Sequence, residues 1–153
     1  MYVSARSEYA LLALTTLATE GRPMTLEELA RRHGLPPAYL AVVLRLLRQA
    51  RIVAVERGRL RGYRLIGNPH EITAAAVVRV VDGLWVELPA VRSGPSGRQG
   101  LAESALVALW QTVQDSVETA LDAVTIAELP LLGDSDRSRP SGIGRVSPRV
   151  GLG

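Results

Sequence analysis

Arg57, Arg59, Arg61 and Arg64 put four guanidinium groups into eight residues. They surround a turn reading Gly58-Arg59-Leu60-Arg61-Gly62 between two short strand-like segments, Val53–Arg57 and Tyr63–Leu65. A guanidinium stays charged at any ordinary pH and forks onto phosphate oxygens. Arginines on a hairpin also suit a narrow minor groove, whose width is a sequence-dependent signal. The chemistry on offer is polyanion binding. The same charges on an edge hairpin would discourage aggregation, so the neighbouring residues must decide between the two readings.

The neighbours favour DNA. Directly before the hairpin, Leu40, Val43, Leu44 and Leu47 fall at i, i+3, i+4 and i+7, one apolar face of a helix. Pro37 suits its first position, where a missing N–H costs nothing. The opposite stripe is Ala38, Val42, Arg45 and Gln49. Apolar groups at the start of such a helix can meet thymine methyls but make no bidentate base contacts. Arg45, with the Arg48/Arg51 pair, is suited to phosphates. Specificity from this helix therefore reads as thin, and the arginine hairpin would compensate.

Positioning these groups takes the rest of the front half. Leu11, Leu14, Leu17 and Ala18 give a first helix one apolar face, stopped by Gly21-Arg22-Pro23. Thr25-Leu26-Glu27-Glu28 is a capping box that opens a short second helix. Gly34 fits the position after its end, and Leu35-Pro36 turns the chain into the third helix. Helix, helix, helix, hairpin is the order of a winged helix-turn-helix. Thr73 then caps a fourth helix over Ala74–Val81, closed by Asp82-Gly83. The fold predicted is mainly α with a small β-hairpin wing (α+β). Residues 1–83 form the DNA-binding domain, 84–100 a flexible loop, 101–129 a dimerisation helix and 130–153 a disordered tail. Gly94, Gly97 and Gly100 lie in the loop, but no Lys-Ser/Thr pair accompanies them, so a phosphate loop is not expected.

Composition narrows the function classes. The 153 residues are 47% hydrophobic but only 4% aromatic, with no Phe, so the core must be aliphatic. Residues 1–65 carry 11 Arg against 5 acids, and residues 66–129 carry 3 Arg against 8 acids. A basic front joined to an acidic back suits a polyanion-binding module with a separate non-binding part. The absence of cysteine excludes disulfides, thiolate metal sites and cysteine nucleophiles. No apolar run reaches the ~18 residues that span a bilayer, and the cytoplasm is the expected compartment. With two His and no Gly-x-Ser-x-Gly elbow, nothing suggests an enzyme.

The blocks SEYALLAL, LEELARRHGLPPAYLAVVLRLLRQARIV, RGRLRGYRL, EITAAAVVRVVDG and TIAEL, in this order, resemble the Rrf-two family of bacterial transcriptional regulators. The resemblance implies a homodimer whose long helices pair and whose two winged helices read a palindromic operator. It places Tyr39 in the recognition helix and Arg57 at the minor-groove position. Many members hold an iron–sulphur cluster on three cysteines in the loop before the long helix. The equivalent stretch here, 90–100, has none, so no cluster or other cofactor is expected. Glu8 and His33 match two further ligand positions of a few members. Two ligands are too few for a stable metal site, and a helix-end His with a surface or hydrogen-bonded Glu is the plainer reading. The family's Gly-rich wing tip is replaced by Arg59-Leu60-Arg61, which adds charge.

The chain is thus expected to be a cluster-free, homodimeric, sequence-specific regulator of transcription, a repressor, partnered by double-stranded DNA and not by a membrane. The expected DNA contacts are Thr25, Pro37, Ala38, Tyr39, Val42, Arg45, Arg48, Arg57, Arg59 and Arg61. Leu106, Leu109, Trp110, Val113, Val117, Leu121 and Val124 repeat at three- and four-residue steps and form the expected dimer face. An effector pocket, for a small molecule or a partner protein, would draw on Glu8, Tyr9, His33, Trp85 and Trp110. The alternative is a protein-interaction scaffold that keeps the fold but has lost operator reading. Ala38 and Val42 motivate it, because neither can hydrogen-bond a base edge.

Overall fold

The computed structural model describes residues 4–83 and 101–132. The elements run α1 (Ala5–Glu20), α2 (Leu26–His33), α3 (Pro37–Gln49), β1 (Val53–Glu56), β2 (Gly62–Leu65), α4 (Ala74–Asp82) and α5 (Leu101–Asp122). The expected winged helix-turn-helix order is present. The expected loop over 84–100, with Trp85 in it, lies outside the described residues, as does the tail beyond Leu132.

Local chemistry sets the helix ends. At α2, the Thr25 hydroxyl accepts from the Glu28 amide at 3.2 Å and the Glu28 carboxylate accepts from the Thr25 amide at 2.8 Å. That backbone hydrogen bond, then nearby Arg22, holds the Glu28 carboxyl below its ordinary pKa. Gly34 ends α2 in the left-handed conformation at φ 63°. Pro37 occupies the first turn of α3. Thr73 caps α4 by accepting from the Ala76 amide.

The core is aliphatic, as composition requires. Ala10, Ala13, Leu14 and Leu17 of α1 meet Leu29 and Ala30 of α2, all four inward residues of α3, Val53 of β1, and Val77 and Val81 of α4. Each fully buried leucine contributes about 1.5–3 kcal/mol relative to exposure. The four α3 residues, Leu40, Val43, Leu44 and Leu47, are 0% exposed, so any roll of this helix about its axis would expose apolar surface. The hydroxyls of Ser4 and Ser7 both donate to the Asp82 carboxylate, tying the start of α1 to the end of α4.

The long helix differs from expectation at its end. It stops at Asp122, and Val124 lies beyond it with its carbonyl accepting from the Ala74 amide at 2.8 Å. Val124 therefore lies past the last helical residue of α5, with its backbone tied to the start of α4. Thr125 bridges Thr73, and Ile126 donates to the Ile72 carbonyl at 2.9 Å and is fully buried in the core of the head. Residues 129–132, in part assigned to a structureless tail, make one further helical turn. Arg79 of α4 fixes α5 from the side, bonding Glu118 at 2.7 Å through Nε and pairing with Asp122 at 3.1 Å.

Candidate nucleic-acid interface

The wing is built on more than its own two strands. β1 and β2 pair antiparallel with Val53 opposite Leu65 and Glu56 opposite Gly62. Met24, just before α2, adds a bridge on the outer side: its amide donates to the Tyr63 carbonyl at 2.9 Å, and the Tyr63 amide donates back at 2.7 Å. Gly62 sits in this crossing at φ 150°, where a Cβ would lie 2.5 Å from the Met24 carbonyl carbon and oxygen. Only glycine fits there. Nothing periodic marked Met24; the signal was its place between Pro23 and the capping Thr25, where the chain has to run extended.

Sorting the arginines shows where charge is free. Of the eleven in residues 1–65, Arg22 pairs with Glu20 and Glu28, Arg32 with Glu20 at 2.7 Å, and Arg64 with Glu56 at 2.5 Å. The wing thus loses one of its four expected cations to β1, because Arg64, opposite Ala54 in the ladder, reaches the diagonal Glu56 on the same face. Arg57, Arg59 and Arg61 are exposed and make no ion pair among the described residues. The same holds for Arg45 and Arg48 on α3 and for Arg51 just after it. Arg6 on α1 and Arg31 on α2 are also without an acid partner among the described residues, but each stands alone. The clustered unpaired charge is on α3 and the wing, consecutive elements that pack against each other.

The outer face of α3 is as the spacing predicted. Pro37, Ala38, Tyr39, Val42, Arg45 and Arg48 are all exposed. The Tyr39 ring meets Tyr9 of α1 edge-on, with centroids 5.5 Å apart and planes at 83°, so its far side stays open. Thr25 shares an open groove of about 550 Å³ with Arg57, Gly58 and Arg61, which joins the start of α2 to the wing. Its hydroxyl is already committed to the Glu28 amide. This surface can bind phosphates by charge and touch bases by apolar contact.

The expected effector residues divide. Glu8 and His33 line one depression of about 460 Å³ with Leu11, Leu12, Thr15, Thr16 and Leu129. The His33 Nε2 lies 2.7 Å from the Thr16 hydroxyl, and burial, then neighbouring Arg32, lowers its pKa, favouring the neutral ring. Tyr9 does not belong to that depression: one residue on from Glu8 is a turn of about 100° around the helix, and it faces Tyr39 instead. Trp110 is an exposed residue of α5 and is likewise not part of the lining.

Comparison with known proteins agrees with this geometry. Residues 3–130 match the family model of Rrf2, described as an iron-dependent transcriptional regulator. A protein of Mycobacterium tuberculosis named as an HTH-type transcriptional regulator is 34% identical over 131 residues, covering 84% of this chain and 81% of its own. The structure of CymR, the global cysteine regulator of B. subtilis, superposes with a TM-score of 0.68 at 29% identity, over 86% of this chain and 98% of that one. That of IscR from T. potens gives 0.68 at 28% identity, over 93% and 94%. The iron in the family's description does not fit this donor set. The chain has no cysteine, and among the described residues no three His, Asp or Glu converge. With fold, charge and likeness in agreement, the chain belongs to the Rrf2 family of winged-helix transcriptional regulators.

Proposed function

We propose that the protein is a homodimeric repressor that reads a two-fold symmetric operator without an iron–sulphur cluster. The observation that carries this reading is the clustering of free charge: Arg22, Arg32 and Arg64 are neutralised by acids, while six arginines of α3, its end and the wing tip stand together unpaired among the described residues. Pairing of two chains is supported by α5, which exposes Leu106, Leu109 (55%), Trp110 and Val113 along one stripe. Val117 and Leu121 continue it half-buried. Contiguous apolar surface of this kind on a helix is used by a partner.

Control falls to the depression at Glu8 and His33, where an apolar floor with a carboxylate and an imidazole at the rim suits a small polar-headed molecule. A protein partner docking there would act in the same way, by biasing the placement of α1 and α2 against α5.

The competing reading, a scaffold that no longer reads an operator, is favoured by the apolar pair Ala38 and Val42. Selection of bound duplexes from a random pool at two salt concentrations separates the two. The regulator enriches an inverted repeat with half-sites about one helical turn apart. Retention that fades with salt and enriches nothing would sink it in favour of the scaffold.

A further inference from the structure

Leu60 stands at the tip of the wing with 69% of its surface exposed, the most open of the large hydrophobic residues described. A lone exposed leucine is ordinary. This one has unusual company. Its neighbours on both sides, Arg59 and Arg61, are exposed and without acidic partners among the described residues. The hairpin behind it is pinned by the β1–β2 ladder and by the Met24–Tyr63 bridge. The result is an apolar point held out between two cations on a fixed base.

We infer that Leu60 is a wedge that enters the DNA minor groove and partly unstacks a base step, so that the wing bends the duplex. The occupant follows from charge and shape. Arg59 and Arg61 demand an anionic surface on both sides of the leucine, which an apolar protein groove does not offer. A minor groove has phosphates along both walls, and an opened base step provides an apolar slot in its floor. Wedges of this type kink DNA by roughly 20–90°, most easily at flexible pyrimidine–purine steps. Sequence preference then arises at the wing without any hydrogen bond to a base, which offsets the apolar face of α3.

This inference rests on the DNA-binding reading, and the test separates the two. The full chain is bound to end-labelled duplexes of the enriched site, or of random sequence if none is enriched, and the end-to-end distance is read by energy transfer. The wild type shortens that distance, and Leu60→Ala restores most of it. The variant keeps the wild-type dependence of affinity on salt, because no charge is removed. It also loses any preference for a TA or CA step under the wing. Arg59→Ala with Arg61→Ala lowers the salt dependence instead, by about 0.9 in slope for each phosphate that is no longer neutralised. Leu60 touches no core residue, so folding of the variant is not at issue. A bend that is absent, or unchanged in Leu60→Ala, overturns the wedge and leaves the regulator standing. Failure to retain any duplex at low salt overturns both.

Discussion

The recognition helix and the wing serve one surface by opposite means. In α3 the inner face is completely buried, and the outer face starts with a methyl, an isopropyl and a tyrosine ring and turns basic only at Arg45 and Arg48. In the wing almost nothing is buried beyond Val53, yet the tip carries three free arginines. Its position depends on backbone hydrogen bonds to β2 and Met24. The contrast teaches that affinity and geometry are lodged in different elements. Packing holds the helix, whose base-facing start is apolar, and hydrogen bonding holds the hairpin, which carries three of the six clustered unpaired arginines.

Damage to the two should therefore show in different measurements. Leu44→Ala empties a fully buried position in α3 and is expected to cost about 2–5 kcal/mol of stability, read from denaturant midpoints. Val42→Ala, on the 40%-exposed outer face, should change stability by less than about 0.5 kcal/mol. Equal costs for the two would mean that the outer face is packed against something in solution. Replacing Arg57, Arg59 and Arg61 together by Ala reverses the pattern. Stability stays within about 0.5 kcal/mol, while DNA affinity at physiological salt falls about 100-fold and the salt slope drops by about 2.7. A slope that stays put would show that the wing never reaches phosphate.

Gly62→Ala sharpens the comparison, because it attacks the anchor of the wing and leaves its charges intact. The added Cβ would collide with the Met24 backbone at 2.5 Å, at a φ that other residues rarely adopt. The expected cost is about 1–3 kcal/mol, with DNA affinity falling although every arginine remains. Unchanged amide protection at Met24 and Tyr63 by hydrogen exchange would refute the anchoring role of that bridge.

Much of this was legible in the chain, and the misses have physical causes. The inner face of α3, the helix caps at Thr25 and Thr73 and the arginine tip are local patterns, each set within about two helical turns of sequence. The Arg64–Glu56 pair needs the hairpin register, which spacing alone does not supply. Arg79 with Glu118 and Asp122 is separated by about forty residues of sequence, and nothing local reports it. The return of the chain after α5 could have been read. Thr125-Ile126-Ala127-Glu128 repeats the Thr-x-x-Glu spacing of Thr25-Leu26-Glu27-Glu28, and the Glu128 carboxylate indeed accepts from the Thr125 amide at 2.9 Å. That hydrogen bond, followed by the one to the Thr125 hydroxyl, holds the Glu128 carboxyl below its ordinary pKa. Here, though, the Thr125 hydroxyl donates to the Glu128 carboxylate, and the Glu128 amide bonds the Thr125 carbonyl. The Thr-x-x-Glu pattern after a long helix marks a new turn, and with that turn comes the burial of Ile126.

A further modest effect is expected at the seam between the two regions. Arg51, between α3 and β1, has φ 59°, and every other positive-φ residue described is a glycine. The amides of Arg51 and Ile52 donate to the carbonyls of Arg48 and Leu47 at 3.0 and 2.9 Å, the hydrogen bonds that end the helix and launch the strand. Glycine takes this conformation without a Cβ penalty, as Gly34 does after α2. Retaining an arginine costs about 1 kcal/mol, and its side chain is exposed with no acid partner among the described residues. Arg51→Gly is therefore expected to raise stability by about 0.5–1 kcal/mol. The same change should lower the salt slope of DNA binding by about 0.9. Opposite signs in the two measurements mark Arg51 as a phosphate-binding residue held at the expense of stability. A gain in stability with an unchanged slope would confine the DNA surface to the wing tip and the outer face of α3, with nothing bound at the seam between them.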